Sequence, residues 1–359
     1  MRRALHLFLA ALCWLTEAEA AELPPLPGSV PLPGPGQANA QLAQKLNAAC
    51  ERCHLEIAAE WRQSYHRQAN SDPAFQRALA DEPRAFCRRC HAPHADPTQA
   101  AAGWAADSGV ACVTCHVPGR LLRAPLADVQ VLAGTRTGPE PPGLAPHELL
   151  RDAQFSSDGA CQGCHEFSFP DGHARRRPEL MQSTVSEHRQ SPLAGESCIQ
   201  CHMPRTASGR RSHSFASAHE PQQLRAALRV TATRPTPTLV RLELAPQRVG
   251  HALPTGDLFR RLSLRAWGQA ADGRRLGQQR LLKRHFGLER QLGGAWVRVT
   301  AYDDRLTGVT AIDLPLDAAL AGRRLRWQVR YQRVELPLPF SDQVRLRPTD
   351  DVLLAEGEL

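Results

Sequence analysis

The sequence is poor in aromatic residues and methionine, and it has no apolar run long enough to span a bilayer. Phe, Trp and Tyr together make up 5% of 359 residues, too few to fill the interior of such a chain unless another bulky group shares it. Of three methionines, only Met181 and Met203 follow the initiator, which excludes a general role for methionine as a metal ligand. The longest apolar stretch, Ala4 to Leu15, is too short for a membrane helix. Preceded by Arg2 and Arg3 and followed by Ala18-Glu19-Ala20, it reads as a secretory signal over residues 1–20, with the mature chain starting at Ala21 and no transmembrane segment in it. A periplasmic or exported location is therefore expected. The formal net charge of +8 invites a nucleic-acid partner, but the arginines are scattered and not gathered beside stacking aromatics, so no nucleic-acid binding is expected.

Cysteine, by contrast, is plentiful, and its spacing is regular. Of eleven cysteines, Cys13 lies in the signal and the other ten form five Cys-x-x-Cys-His motifs: Cys50/Cys53/His54, Cys87/Cys90/His91, Cys112/Cys115/His116, Cys161/Cys164/His165 and Cys198/Cys201/His202. A disulfide framework, ordinary in exported proteins, requires no histidine after each second cysteine. A zinc site requires four ligands in tetrahedral array, and a thioredoxin-like pair would occur once. Covalent haem attachment requires both features: two thiols add to the two vinyl groups of one macrocycle, and the adjacent imidazole reaches the iron as proximal ligand. The spacing predicts five haem c groups with iron. No motif ends in lysine, so the lysine-ligated haem of some multihaem nitrite reductases has no counterpart.

If every iron is six-coordinate, the distal ligands must be mostly histidine, because Met203 directly follows His202 and cannot curl to the opposite side of the same haem. His66, His147, His213, His219 and His251 are the distal candidates. His66 lies in a helical stretch after the first motif, with Ile57 and Trp61 four apart on one face. His147 opens a short helix between the third and fourth motifs, and His213 and His219 follow the fifth. His251 sits among turn formers, Gly250-His251-Ala252-Leu253-Pro254-Thr255-Gly256, either reaching back to a haem or stabilising the turn. His94, His173, His188 and His285 are expected at the surface or in hydrogen bonds. A short internal repeat, Ala59-Glu60-Trp61-Arg62-Gln63-Ser64 against Ser186-Glu187-His188-Arg189-Gln190-Ser191, places His188 where Trp61 stands and Leu193 where His66 stands.

Along the chain, the Pro-rich segment 21–40 reads as an extended linker. Residues 41–223 hold all five motifs among short helical stretches, such as the one opened by Ser71-Asp72-Pro73 and stopped by Pro83. The cluster from Gly138 to Pro146 reads as a loop. Residues 224–345 alternate apolar and polar, as in Leu325, Trp327, Val329 and Tyr331, and carry turn signals such as Asp272-Gly273. Residues 346–359 read as a C-terminal tail. The expected fold class is a mainly α, haem-organised cytochrome domain followed by an antiparallel β-sandwich domain.

With these residues in place, the chain resembles exported multihaem c-type cytochromes of the cytochrome c-554 type (the cytochrome c-552/c-554 family), which are more distantly related to hydroxylamine oxidoreductase. The resemblance rests on Cys50-x-x-Cys53-His54 with Glu60-Trp61 and Ser64-x-His66, on Cys87-x-x-Cys90-His91-Ala92-Pro93, on Gly109-Val110-x-Cys112 and on Cys198-x-x-Cys201-His202-Met203-Pro204. Gly250 to Gly256 is similar to part of a β domain attached to some bacterial members. The resemblance implies electron transfer in the periplasm, with His66 and His147 in positions similar to distal ligands, and with other redox proteins as electron donor and acceptor. The motifs outnumber those of the family's name-giving member, and the family includes a five-coordinate haem. Two further readings follow: a multihaem oxidoreductase acting on a small nitrogen or sulfur compound at one five-coordinate haem, and a β domain that selects the redox partner.

Overall fold

The computed structural model describes residues 40–96, 100–117, 122–125, 150–152, 155, 157–168, 180–215, 220–290, 294, 296–334 and 348–359. The signal, nearly all of the Pro-rich linker, the loop from Gly138 to Pro146, and His147, His173 and His219 lie outside them. The motif-bearing part is built from short helices. α1 (Ala40–Cys53) and α2 (Leu55–Gln63) are followed by α3 (Tyr65–Gln68), α4 (Pro73–Asp81), α5 (Ala85–His91), α6 (Gly103–Asp107) and α7 (Cys112–His116). After the small parallel pair β1 (Arg123–Pro125) and β2 (Leu150–Asp152) come α8 (Gly159–His165), the hairpin β3 (Glu166–Ser168) and β4 (Leu180–Ser183), α9 (Thr184–Arg189) and α10 (Cys198–His202). α4 shows why the helices stop and start where they do. Asp72 accepts from the amides of Ala74 (3.3 Å) and Phe75 (3.2 Å), Pro73 occupies the first turn, and the helix ends before Pro83.

α11 (Pro221–Ala226) leads into a β body of two main antiparallel sheets. One has the order β11 (Thr310–Pro315), β6 (Leu239–Pro246), β5 (Leu228–Thr236). The other has the order β13 (Pro348–Glu358), β12 (Leu325–Val334), β7 (Arg260–Gln269), β8 (Arg275–Leu282). A further hairpin pairs β9 (Arg284–Arg290) with β10 (Trp296–Asp303). The turn between β7 and β8 uses Gly273 at φ +84°, a conformation that glycine adopts without steric cost. Alternation places Leu242 and Leu244 of one sheet and Leu262, Leu264, Leu325 and Val329 of the other in a common core, all fully buried. Each such side chain contributes roughly 1.5–3 kcal/mol.

Two expectations are corrected. Among the described residues helix accounts for about 33% and strand for about 35%, so the protein is not mainly α. The motifs impose only one or two helical turns each, whereas the alternating segment forms strands of up to 10 residues. The segment read as a tail adds a strand of 11, since β13 pairs with β12 along most of its length. It carries few large apolar residues beyond Val352, Leu353 and Leu354, which made its edge pairing hard to see in the sequence.

Charged contacts tie the β body to the helices. Arg333 reaches Asp72 at 2.7 Å and Asp257 at 3.6 Å, and Arg284 donates to the carbonyls of Leu180 (2.8 Å) and Met181 (3.3 Å). Burial opposes ionisation of Asp72, but Arg333 and the α4 amides hold its carboxyl below the usual carboxylate range. We expect Asp72→Ala to lower stability by about 2–4 kcal/mol at neutral pH, since it removes a cap and strands a buried guanidinium. A depressed carboxyl stabilises above its unfolded value and loses that effect as pH falls through the folded one. Denaturant titrations of wild type and variant should therefore converge below about pH 4.

Candidate functional site

Each motif lies on or at the end of a helical turn, so its two cysteines, three apart, share one face and the histidine follows immediately. None of the ten motif thiols is in a disulfide. Burial pushes the thiol of Cys112 up to about 12, the opposite of what a nucleophilic cysteine needs. The motifs interlock. The thiols of Cys90 and Cys164 lie close enough to influence one another, as do those of Cys161 and Cys198, and the thiol of Cys198 donates to Asp158 at 3.1 Å. Asn47, fully buried, accepts from the amide of Cys112 at 2.9 Å and donates to Glu51 at 2.7 Å, joining the first motif to the third. Asp158 accepts from the amide of Cys198 at 3.0 Å, joining the fourth to the fifth.

Three histidines outside the motifs face histidines inside them. The ring centres of His66 and His165 are 6.3 Å apart, those of His116 and His213 are 6.3 Å apart, and those of His202 and His251 are 6.2 Å apart, the last pair nearly parallel at 16°. These gaps exceed a stacking contact. An imidazole nitrogen sits about 2 Å from a transition-metal ion, with its ring centre about 1.1 Å behind, so two rings on opposite sides of one ion lie roughly 6.2 Å apart. Partners in space are not neighbours in sequence: His66 follows the first motif but faces the fourth, and His213 follows the fifth but faces the third.

The surroundings suit neutral, metal-binding imidazoles. Nδ1 donates to a backbone carbonyl in His91 (Ala69, 2.7 Å), His116 (Arg123, 2.9 Å), His213 (Arg211, 3.1 Å) and His251 (Ala252, 3.0 Å). That tautomer leaves Nε2 able to bind a metal. Burial pushes His66 down to about 3, reinforced by His165, His202 and His213, and it pushes His165 down to about 4. His91, His116, His213 and His251 are lowered by burial as well. Phe75 stacks on His91 at 3.7 Å, and Phe215 stands edge-on to His66 at 4.3 Å. The remaining described histidines are held by hydrogen bonds. His94 meets Thr114 at 2.8 Å and His285 meets Asp304 at 2.9 Å. Both nitrogens of His188 lie 2.7 Å from carbonyl oxygens, those of Gly250 and Glu196.

The sequence reading missed the residues that hold the pairs in place. Glu60 accepts from the backbone amide of His213 at 2.8 Å and is ion-paired with Arg210 at 2.8 Å. That hydrogen-bonded arginine, more than burial, sets its charge state and holds its carboxyl low. Trp61 donates to the carbonyl of Val110 at 2.8 Å. Asn47 and Asp158 carried a signal, each standing three residues before the first cysteine of its motif.

No family model and no curated protein matches the chain. A solved structure does: the penta-haem cytochrome c552 from Thermochromatium tepidum, with a TM-score of 0.61 and 24% identity, over 86% of this chain and 97% of that one. The two share a fold. The matched share is larger than the motif-bearing segment, so the likeness extends into the β body.

Proposed function

We propose that this chain is a multihaem c-type cytochrome that carries electrons between redox proteins outside the cytoplasm, with one haem c on each of its five motifs. The observation that carries the reading is the set of histidine pairs, each separated by the span of one coordinated ion. Among the described residues no third His, Cys, Asp or Glu joins a pair to make a site for a bare ion, so the equatorial ligands must come from a macrocycle. Two thiols beside one member of each pair are what attach such a macrocycle. Bound haem would supply an iron that cycles between ferric and ferrous, one electron at a time.

The chain's own residues do the rest. The motif cysteines would anchor the group, His54, His91, His116, His165 and His202 would take the proximal position, and His66 and His213 would close the opposite side of the fourth and third sites. Imidazole on both sides favours a low reduction potential relative to methionine ligation. The closeness of cysteines from different motifs places the attachment points side by side, the arrangement that electron hopping needs. The fold shared with a penta-haem cytochrome supports the reading, and the signal-like residues 1–20 support export.

Haem content tests it directly. A pyridine haemochrome assay on the exported holoprotein should give five haems per chain, and coulometric reduction should take up five electrons. Clearly fewer of either would overturn the reading.

A further inference from the structure

The short repeat seen in the sequence extends into three dimensions. Trp61 donates to the carbonyl of Val110, two residues before Cys112, and the aligned His188 meets the carbonyl of Glu196, two residues before Cys198. The amide of Val110 donates to the carbonyl of His66 (2.7 Å), and the amide of Glu196 donates to that of the aligned Leu193 (2.9 Å). Asn47 and Asp158, each three residues before a first cysteine, accept from the amides of Cys112 and Cys198. One unit therefore occurs twice, with the first and third motifs in one copy and the fourth and fifth in the other.

The glutamates preceding Trp61 and His188 extend the parallel. Glu60, paired with Arg210, pins the backbone of His213, which faces the second histidine of its copy, His116. Glu187, paired with Arg305 at 2.7 Å, accepts from the amide of Ala252 (3.3 Å) and the hydroxyl of Thr255 (2.6 Å), pinning the loop whose His251 faces His202. In the first copy the facing histidine comes from the helical part. In the second it comes from the β body, and the loop is also held from that side, since Leu253 and Leu306 exchange backbone hydrogen bonds at 2.8 and 3.0 Å.

We propose that His251, carried by the β body, is the sixth ligand of the haem on Cys198 and Cys201, and that Glu187 and His188 position it. The proposal rests on the haem reading above. The difference between Trp61 and His188 is then explained. Tryptophan has one N–H, which suffices to hold the residue before the next motif. Histidine offers a second nitrogen, and in His188 this lies 2.7 Å from the carbonyl oxygen of Gly250, beside His251. The close approach favours glycine there, because a Cβ on Gly250 would stand 3.0 Å from His188 Nδ1 and 3.3 Å from Leu193 Cβ, tighter than an ordinary contact. The β body thus completes an iron site and is more than a docking appendage.

The full-length holoprotein provides the test. His251→Gly should retain five haems by pyridine haemochrome, turn one-fifth of the ferric haem high-spin by electron paramagnetic resonance, and return to low-spin when imidazole is added. If that variant does not fold, His251→Met should raise one of the reduction potentials and leave the others in place. His188→Gln should keep the haem content while cyanide binds one haem in five about tenfold faster than in wild type. A His251→Gly protein that stays wholly low-spin, or a His251→Met protein with unmoved potentials, would show that His251 is not a ligand. An unchanged cyanide rate in His188→Gln would remove the positioning role. Fewer than five haems in the wild type would instead overturn the underlying reading.

Discussion

Changing all ten motif cysteines to alanine should leave the β body folded and unfold the helical part. Among the described residues, the apolar cluster buried in that part consists of Ala43, Trp61, Ala111 and Val113, whereas the β body gathers eighteen buried residues around its two sheets. A few side chains worth roughly 1.5–3 kcal/mol each cannot order so much backbone. Among the described residues no helix of that part after the 14-residue α1 exceeds nine residues, and isolated helices below about 12–15 residues are marginal in water. On the proposed reading haem would supply the missing interior, and by joining His66 to His165 and His116 to His213 it would staple segments about a hundred residues apart. Circular dichroism of the variant should show strand with little helix, and limited proteolysis should yield a resistant fragment beginning near Leu224. A cysteine-free chain with full helix content would contradict this account of what holds the fold together.

The second large effect is expected at His66. Its half-buried ring lies beside those of His165 and Phe215, with its backbone carbonyl fixed by Val110, so a replacement side chain starts from the same place. His66→Met keeps a ligand of suitable reach but exchanges imidazole for a thioether, which favours the ferrous state. One of the reduction potentials should rise by on the order of 100 mV or more, seen by spectroelectrochemistry as one component moving away from the rest. His66→Ala should instead give high-spin ferric signal from one haem in five and bind carbon monoxide when reduced. Unmoved potentials and an unchanged spin state would remove His66 from the iron.

Much of the site was legible because attachment chemistry is local. Two thiols three residues apart and the next histidine fall on one helical turn whatever the rest of the chain does, so the motifs could be read directly. The alternation of β12 was legible for a similar reason, since each residue's side is set by the pleat alone. The opposite side of each iron was not legible in the same way. His66, His213 and His251 were among the candidates, but nothing local says which motif each one faces. His188 was set apart by its alignment with Trp61, and its second hydrogen bond, to Gly250, depends on a loop 62 residues away.

What the sequence by itself determined is the local chemistry: where five pairs of thiols each stand beside a histidine, that methionine is too scarce to supply most further ligands, and that a cysteine-free alternating segment follows. What only the tertiary structure decided is the pairing: His66 with His165, His213 with His116 and His251 with His202. Strand and helix also proved nearly equal in extent, because β13 closes an edge that its own residues do not announce. The physical reason is common to both. A covalent motif and a strand's alternation are set by bond geometry over a few residues, whereas a trans ligand or an edge strand is chosen by packing between segments far apart in the chain.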